Sequence, residues 1–158
     1  MITTEQQTIL DKHTKSAPVN VATVASKFGL AVYEANLPPG VSGMLVHDEK
    51  YKTASGFVCF VDKNEPVTRQ RFTAAHEIGH FLLHREQIGD HHEDNYLLRS
   101  EGFSSRQEID ANQFAADLLM PRDLIAKHMS EGECTVEELS NRFNVSRIAM
   151  GIRLGLPT

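Results

Sequence analysis

Residues 71–84 read Arg71-Phe72-Thr73-Ala74-Ala75-His76-Glu77-Ile78-Gly79-His80-Phe81-Leu82-Leu83-His84. Phe72, Ala75, His76, Gly79, His80 and Leu83 recur at helical spacing along one face, while Ile78, Phe81 and Leu82 cover the adjoining one. A helix that is apolar over so much of its circumference belongs inside a core rather than on its surface. The spacing predicts a helix that begins at Asn64 or Glu65, tolerates Pro66 in its first turn and runs to about His84.

Inside this helix lies His76-Glu77-Ile78-Gly79-His80, the pattern HExxH. Side chains at i and i+4 sit one above the other. Two imidazoles so placed can hold one Zn²⁺, and the glutamate beside the first is angled to take a proton from an attacking water. The plain alternative is a pair of core histidines and a surface glutamate. It is the weaker reading, because both histidines fall on the apolar face, where an uncoordinated imidazole must find a hydrogen-bond partner.

A catalytic zinc takes three protein ligands and a water. His84 continues the series, but eight residues at a rise of about 1.5 Å put it about 12 Å from His76 along the axis. Its expected place is the helix end, beside the last carbonyls. A second helix is predicted from about Arg106 to Met120, stopped by Pro121, with Glu108, Ala111, Asn112, Ala115 and Leu119 on one face. The small Ala111 and Ala115 allow close approach of a neighbouring helix. Glu108 on that face is either a third ligand or an ordinary first-turn acid favoured by the helix dipole. Asp110 competes with it, and His91, His92, Glu93 and Asp94 are more distant rivals.

The rest of the chain frames these two helices. Val21, Val24, Ala25 and Phe28 give a short amphipathic helix over 19–28 that stops at Gly29. Short strands are expected at 30–33, 41–47 and 54–61, the last apolar enough to be covered on both faces. Residues 85–104 are polar and read mostly as a long loop. Short helices follow over 122–129, 136–143 and 146–154. The fold class is α+β: mainly helices around a small three-stranded sheet, in a single domain over 1–158. Residues 1–16 form a short helix or a loose arm.

Composition is that of a globular protein, with 158 residues, 41% hydrophobic and 23% charged. The net charge of -5 argues against a general nucleic-acid binder. Cys59 and Cys134 lie too far apart for a CxxC zinc site, and reduced thiols serving as small core residues are expected. The N-terminus has no basic start followed by an apolar run, and no stretch reaches the length of a membrane span, so a cytoplasmic location is expected.

Residues 71–84 resemble the active-site helix of the ImmA/IrrE family of zinc metallopeptidases. The stretch Glu108-Ile109-Asp110-Ala111-Asn112-Gln113-Phe114-Ala115-Ala116-Asp117-Leu118-Leu119-Met120-Pro121 is similar to that family's second signature. The resemblance extends more loosely from about 17 to 157. It implies a zincin-like, gluzincin-type site with His76, His80 and Glu108 as Zn²⁺ ligands and Glu77 as general base. Asn112, one helical turn beyond Glu108, either orients a ligand or makes a packing hydrogen bond between the helices. The resemblance also implies an endopeptidase acting on a regulatory protein, a DNA-binding repressor or an antitoxin-like partner, in phage control or a toxin–antitoxin-like pair. In zincins the strand before the metal helix edges the cleft, so residues 56–61 are expected to pair with extended substrate. Tyr96, His91 and His92 are candidates for stabilising the oxyanion.

Residues 134–158 resemble a helix-turn-helix, with Asn144 at the turn and Ser146 as the next cap. Arg142, Arg147 and Arg153 are its basic residues, few for DNA binding. Packing or protein contact is therefore the favoured reading of 135–154 over DNA recognition. A second function class remains open: a non-proteolytic zinc module that holds a repressor or a toxin or antitoxin partner.

Overall fold

The computed structural model describes residues 1–88, 91–95 and 103–157, with only the backbone for 91–95. Helix α1 (Thr4–Lys12) opens the chain, capped by Thr3 with Gln6 returning the bond. Of the two expectations for this stretch, the helix is what forms, and Leu10 is buried. Helix α2 (Val21–Lys27) ends before Gly29, whose φ of +82° suits a residue without a side chain. Strands β1 (Ala31–Ala35), β2 (Val41–His47) and β3 (Phe57–Asp62) follow.

Helix α3 (Val67–Leu83) starts at Val67 with Pro66 at its N-cap, later than Asn64. Residues 73–81 of it are all buried, as its apolar circumference requires. Helix α4 (Arg85–Ile88) and strand β4 (His91–Asn95) occupy part of the stretch expected to be loop. Helices α5 (Ser105–Leu119), α6 (Arg122–Ser130), α7 (Val136–Phe143) and α8 (Arg147–Arg153) complete the chain.

The sheet order is β1-β3-β2-β4, so a fourth strand joins the three expected. β1 runs parallel to β3, and β2 is antiparallel to both β3 and β4. β3 is therefore bonded on both sides, and its edge is not open to substrate as the zincin resemblance implied. Among the described residues the sheet edges are β1 and β4.

One face of the sheet lies on α3. Gly43 in β2 makes this possible, since a Cβ there would collide with Thr73 Cγ2 and sit 3.6 Å from Glu77 Cγ. Leu45, Cys59, Ile78, Ala115 and Leu119 are sealed between sheet and helices. Cys59 is a core thiol as expected, whereas Cys134 is exposed.

The last two helices form the expected helix–turn–helix pair. Thr135 and Glu138 make a capping box, Asn144 takes the left-handed turn at φ 53°, and Ser146 caps α8. Arg71 of α3 pins this pair: its guanidinium donates to the carbonyls of Asn144 at 3.1 Å, Phe143 at 3.3 Å and Val19 at 2.8 Å. No helix among the described residues is long and apolar enough to cross a membrane.

Candidate metal centre

His76 and His80 project from successive turns of α3, and α5 crosses that helix beside them. The crossing is close because Gly79 lies between the two histidines. A Cβ at Gly79 would stand 3.0 Å from Phe114 Cδ1 and 3.2 Å from Phe114 Cβ, so a side chain there would push α5 away. The N-terminal turn of α5 is fixed by Ser104 and Gln107, a reciprocal capping box. Glu108 comes next and meets both histidines, with Oε2 3.2 Å from His76 Nε2 and Oε1 3.2 Å from His80 Nε2.

These three residues offer ligand atoms that all lie within 4.8 Å of one another. Among the described residues they are the one cluster of His, Cys, Asp or Glu able to hold a metal ion. The fit is good on two counts. Ligand atoms of a tetrahedral ion at about 2.0–2.1 Å stand about 3.3 Å apart, close to the His–Glu separations here. Two imidazoles and one carboxylate are also a donor set suited to a catalytic zinc. Burial works against the ionised carboxyl of Glu108, but hydrogen bonds from His76 and His80 outweigh it and hold that carboxyl well below the usual carboxylate range.

The imidazoles are oriented from behind. His76 Nδ1 lies 2.8 Å from Asn112 Oδ1. An amide oxygen only accepts, so Nδ1 carries a hydrogen toward Asn112 and Nε2 is the nitrogen turned to the cluster, a donor to Glu108 when protonated and the atom that would offer its lone pair to a metal. His80 Nδ1 lies 2.9 Å from His84 Nδ1. His84 is thus not simply a helix-end residue: it is buried and serves as the rear partner of His80. Burial first, and then the charge of His80, push the His84 pKa down and favour its neutral form. Phe103 stacks on the His80 ring at 4.0 Å between centroids and 8° between planes.

Phe103 was not among the residues picked from sequence, although a lone aromatic directly before a Ser-x-x-Gln capping box was a usable signal. Asp110, the rival carboxylate, is not part of the cluster and pairs with Arg106 at 3.2 Å. Tyr96 and the side chains of 91–95 lie outside the described residues. Glu77 is fully buried beneath Gly43 of β2, not on the surface. An acid so excluded from water is retained at a cost, which is more usual of a working group than of filler.

A cavity of about 790 Å³ opens beside His76 and Glu108 and extends between α3, α5 and α8. A second, of about 720 Å³, lies between α1, α5 and α6, away from the histidines.

An uncharacterized immunity region protein 2 of Bacillus phage phi105 is 24% identical over 134 residues, covering 85% of this chain and 77% of that protein. A solved Mycobacterium tuberculosis transcriptional regulator matches 98% of this chain at a TM-score of 0.61 and 16% identity, which is a likeness of fold. The chain spans only 48% of that regulator's length. The model of a peptidase family, the IrrE N-terminal-like domain, matches residues 25–155. The chain therefore belongs to the IrrE N-terminal-like domain family of peptidases.

Proposed function

We propose that this protein is a zinc-dependent endopeptidase that hydrolyses a peptide bond in a regulatory protein, a helix-turn-helix repressor or an antitoxin-like partner, in the cytoplasm. The observation that carries the reading is the convergence of His76 and His80 from one helix with Glu108 from another, in a donor set that suits zinc. Zinc, when bound by these three, supplies Lewis acidity that polarises a peptide carbonyl and makes water a stronger acid near neutral pH.

The chain's own residues do the rest. Asn112 and His84 hold the imidazole planes, and Phe103 keeps His80 from turning. Glu77 follows His76 directly and stands outside the ligand cluster, and in this reading it is the general base, as the glutamate of an HExxH helix is. It takes the proton of the attacking water and returns it to the leaving amine. β4 is bonded to β2 alone among the described residues, and β2 covers Glu77 at Gly43, which pairs with Asp94 of β4. An extended substrate can add to the far edge of β4, the role first expected of β3.

A regulatory target is supported by the phage immunity region from which the related protein takes its name. The exposed surface of α8 carries Ile148 and Ile152, and Arg147 is paired with Glu137 at 2.7 Å, which favours protein contact over DNA.

The test is zinc content and turnover of purified protein. Wild type should hold about one zinc per chain. Glu77→Gln should keep that zinc and the fold yet lose cleavage of a repressor substrate. Cleavage unaffected by Glu77→Gln, or a wild type that takes up no zinc from metal-replete buffer, would sink the reading.

A further inference from the structure

The cavity beside the metal centre has an unusual far wall. His76 and Glu108 line one end of it, and the helix of the helix–turn–helix pair that would read DNA, α8, lines the other. Ile148 and Ile152 stand one turn apart on α8 and are 74% and 61% exposed. Ile109 of α5, 61% exposed, lines the same cavity. Isolated apolar side chains on a surface need no explanation, but three branched ones around a single groove mark a contact surface.

The groove also has a charge bias. Its lining includes Arg69, Arg122 and Arg153, and its only acid among the described residues is Glu108, which is engaged by the two histidines. Arg153 is engaged with Asp117 and the Met120 carbonyl, and Arg69 lies 3.6 Å from Glu65. Arg122 is exposed, with one guanidinium nitrogen donating to the Arg153 carbonyl.

We propose that α8 is a wall of the substrate groove, with Ile148, Ile152 and Ile109 taking a large apolar side chain of the polypeptide to be cut and Arg122 favouring an acidic neighbour over a basic one. The proposal rests on the peptidase reading. The occupant follows from continuity: a groove that opens onto the metal centre is filled by whatever chain enters that centre. In this arrangement the helix–turn–helix pair has become part of the recognition surface of the protease. The three hydrogen bonds of Arg71 to Val19 and to the α7–α8 turn keep that wall in register with α3.

The experiment gives zinc-loaded protein a pool of random synthetic peptides and identifies the cut sites by mass spectrometry. The same pool is passed over immobilised Glu77→Gln to record retention without turnover. Wild type is compared with Ile148→Asp/Ile152→Asp and with the milder Ile148→Ala/Ile152→Ala, each checked for zinc and thermal unfolding. Enrichment of large apolar residues at one position beside the cut, lost in the variants together with about a tenfold to hundredfold fall in kcat/KM for the best-cut peptide, is the expected result.

Folded, zinc-loaded variants that cut and retain peptides with unchanged preference overturn the groove and leave the peptidase standing. Retention of apolar peptides by the groove with no cutting by wild type upholds the groove and overturns the peptidase. Neither cutting nor retention by wild type overturns both. Self-association of wild type that the Asp pair abolishes, with no peptide preference, assigns the surface to a second copy of the chain and overturns the proposal.

Discussion

Each histidine of the candidate metal cluster is held from behind by a second side chain, Asn112 for His76 and His84 for His80. Asn112 Oδ1 can only accept, so it fixes which nitrogen of His76 faces Glu108. Removing such a support leaves the ligand present but loosely aimed. Asn112→Ala should lower zinc affinity about 10- to 100-fold, and Asp110→Ala should leave it unchanged, as read by competition with a chromophoric chelator. His84 makes a pH prediction. Its pKa is lowered in the fold, so the unfolded chain binds a proton more readily than the folded one. Stability from this residue is complete above the ordinary imidazole value of about 6.5 and falls as pH drops through it toward the lowered folded value. The urea midpoint of metal-free protein should fall between about pH 7.5 and pH 5.5, and His84→Gln should flatten that decline. An unchanged slope in the variant would assign the acid sensitivity elsewhere.

Helices α3 and α5 are brought together by a missing side chain. Gly79 is the second of the two variable positions of HExxH, and it receives Phe114. Gly79→Ala should move α5 by a few tenths of an ångström, cost about 1–3 kcal/mol in thermal or denaturant unfolding, and weaken zinc by displacing Glu108. A variant that binds zinc like wild type would show that the crossing tolerates the methyl group. The joint between α3 and the α7–α8 turn depends on Arg71, whose burial lowers its pKa without a carboxylate among the hydrogen-bond partners described above. Arg71→Ala leaves three carbonyls without that donor and should cost about 2–4 kcal/mol, measured by urea unfolding.

Across the molecule, the metal centre joins a helix from the middle of the chain to one from its second half. Any ion bound there favours the folded state over the unfolded one. Free zinc at about 100 times its dissociation constant should add about 2.7 kcal/mol of stability, and a chelator should remove it. Glu108→Ala should erase most of that zinc-dependent rise in Tm while leaving the metal-free Tm little changed. Because the ligands must be deprotonated, the rise should also shrink on acidification. The same connectivity makes the long groove, since α3, α5 and α8 each contribute a side of it.

The chain's local pattern was enough to place the two histidines on one buried helical face, to end α2 at Gly29, to put the turn after α7 at Asn144 and to cap α8 with Ser146. Each of these depends on residues within about one or two helical turns of one another. Glu108 could be named from sequence but not chosen over an ordinary first-turn acid until α5 was seen to cross α3, since a crossing depends on contacts between distant segments. The fourth strand escaped for a related reason. His91-His92-Glu93-Asp94-Asn95 has no apolar alternation, and it is a strand because β2 offers it backbone partners. β4 and not β3 lies at a sheet edge because strand order is set by long-range pairing. The parts played by His84 and Phe103 behind His80, and by α8 as a wall of the groove, came from packing in three dimensions, which spacing along a chain does not encode.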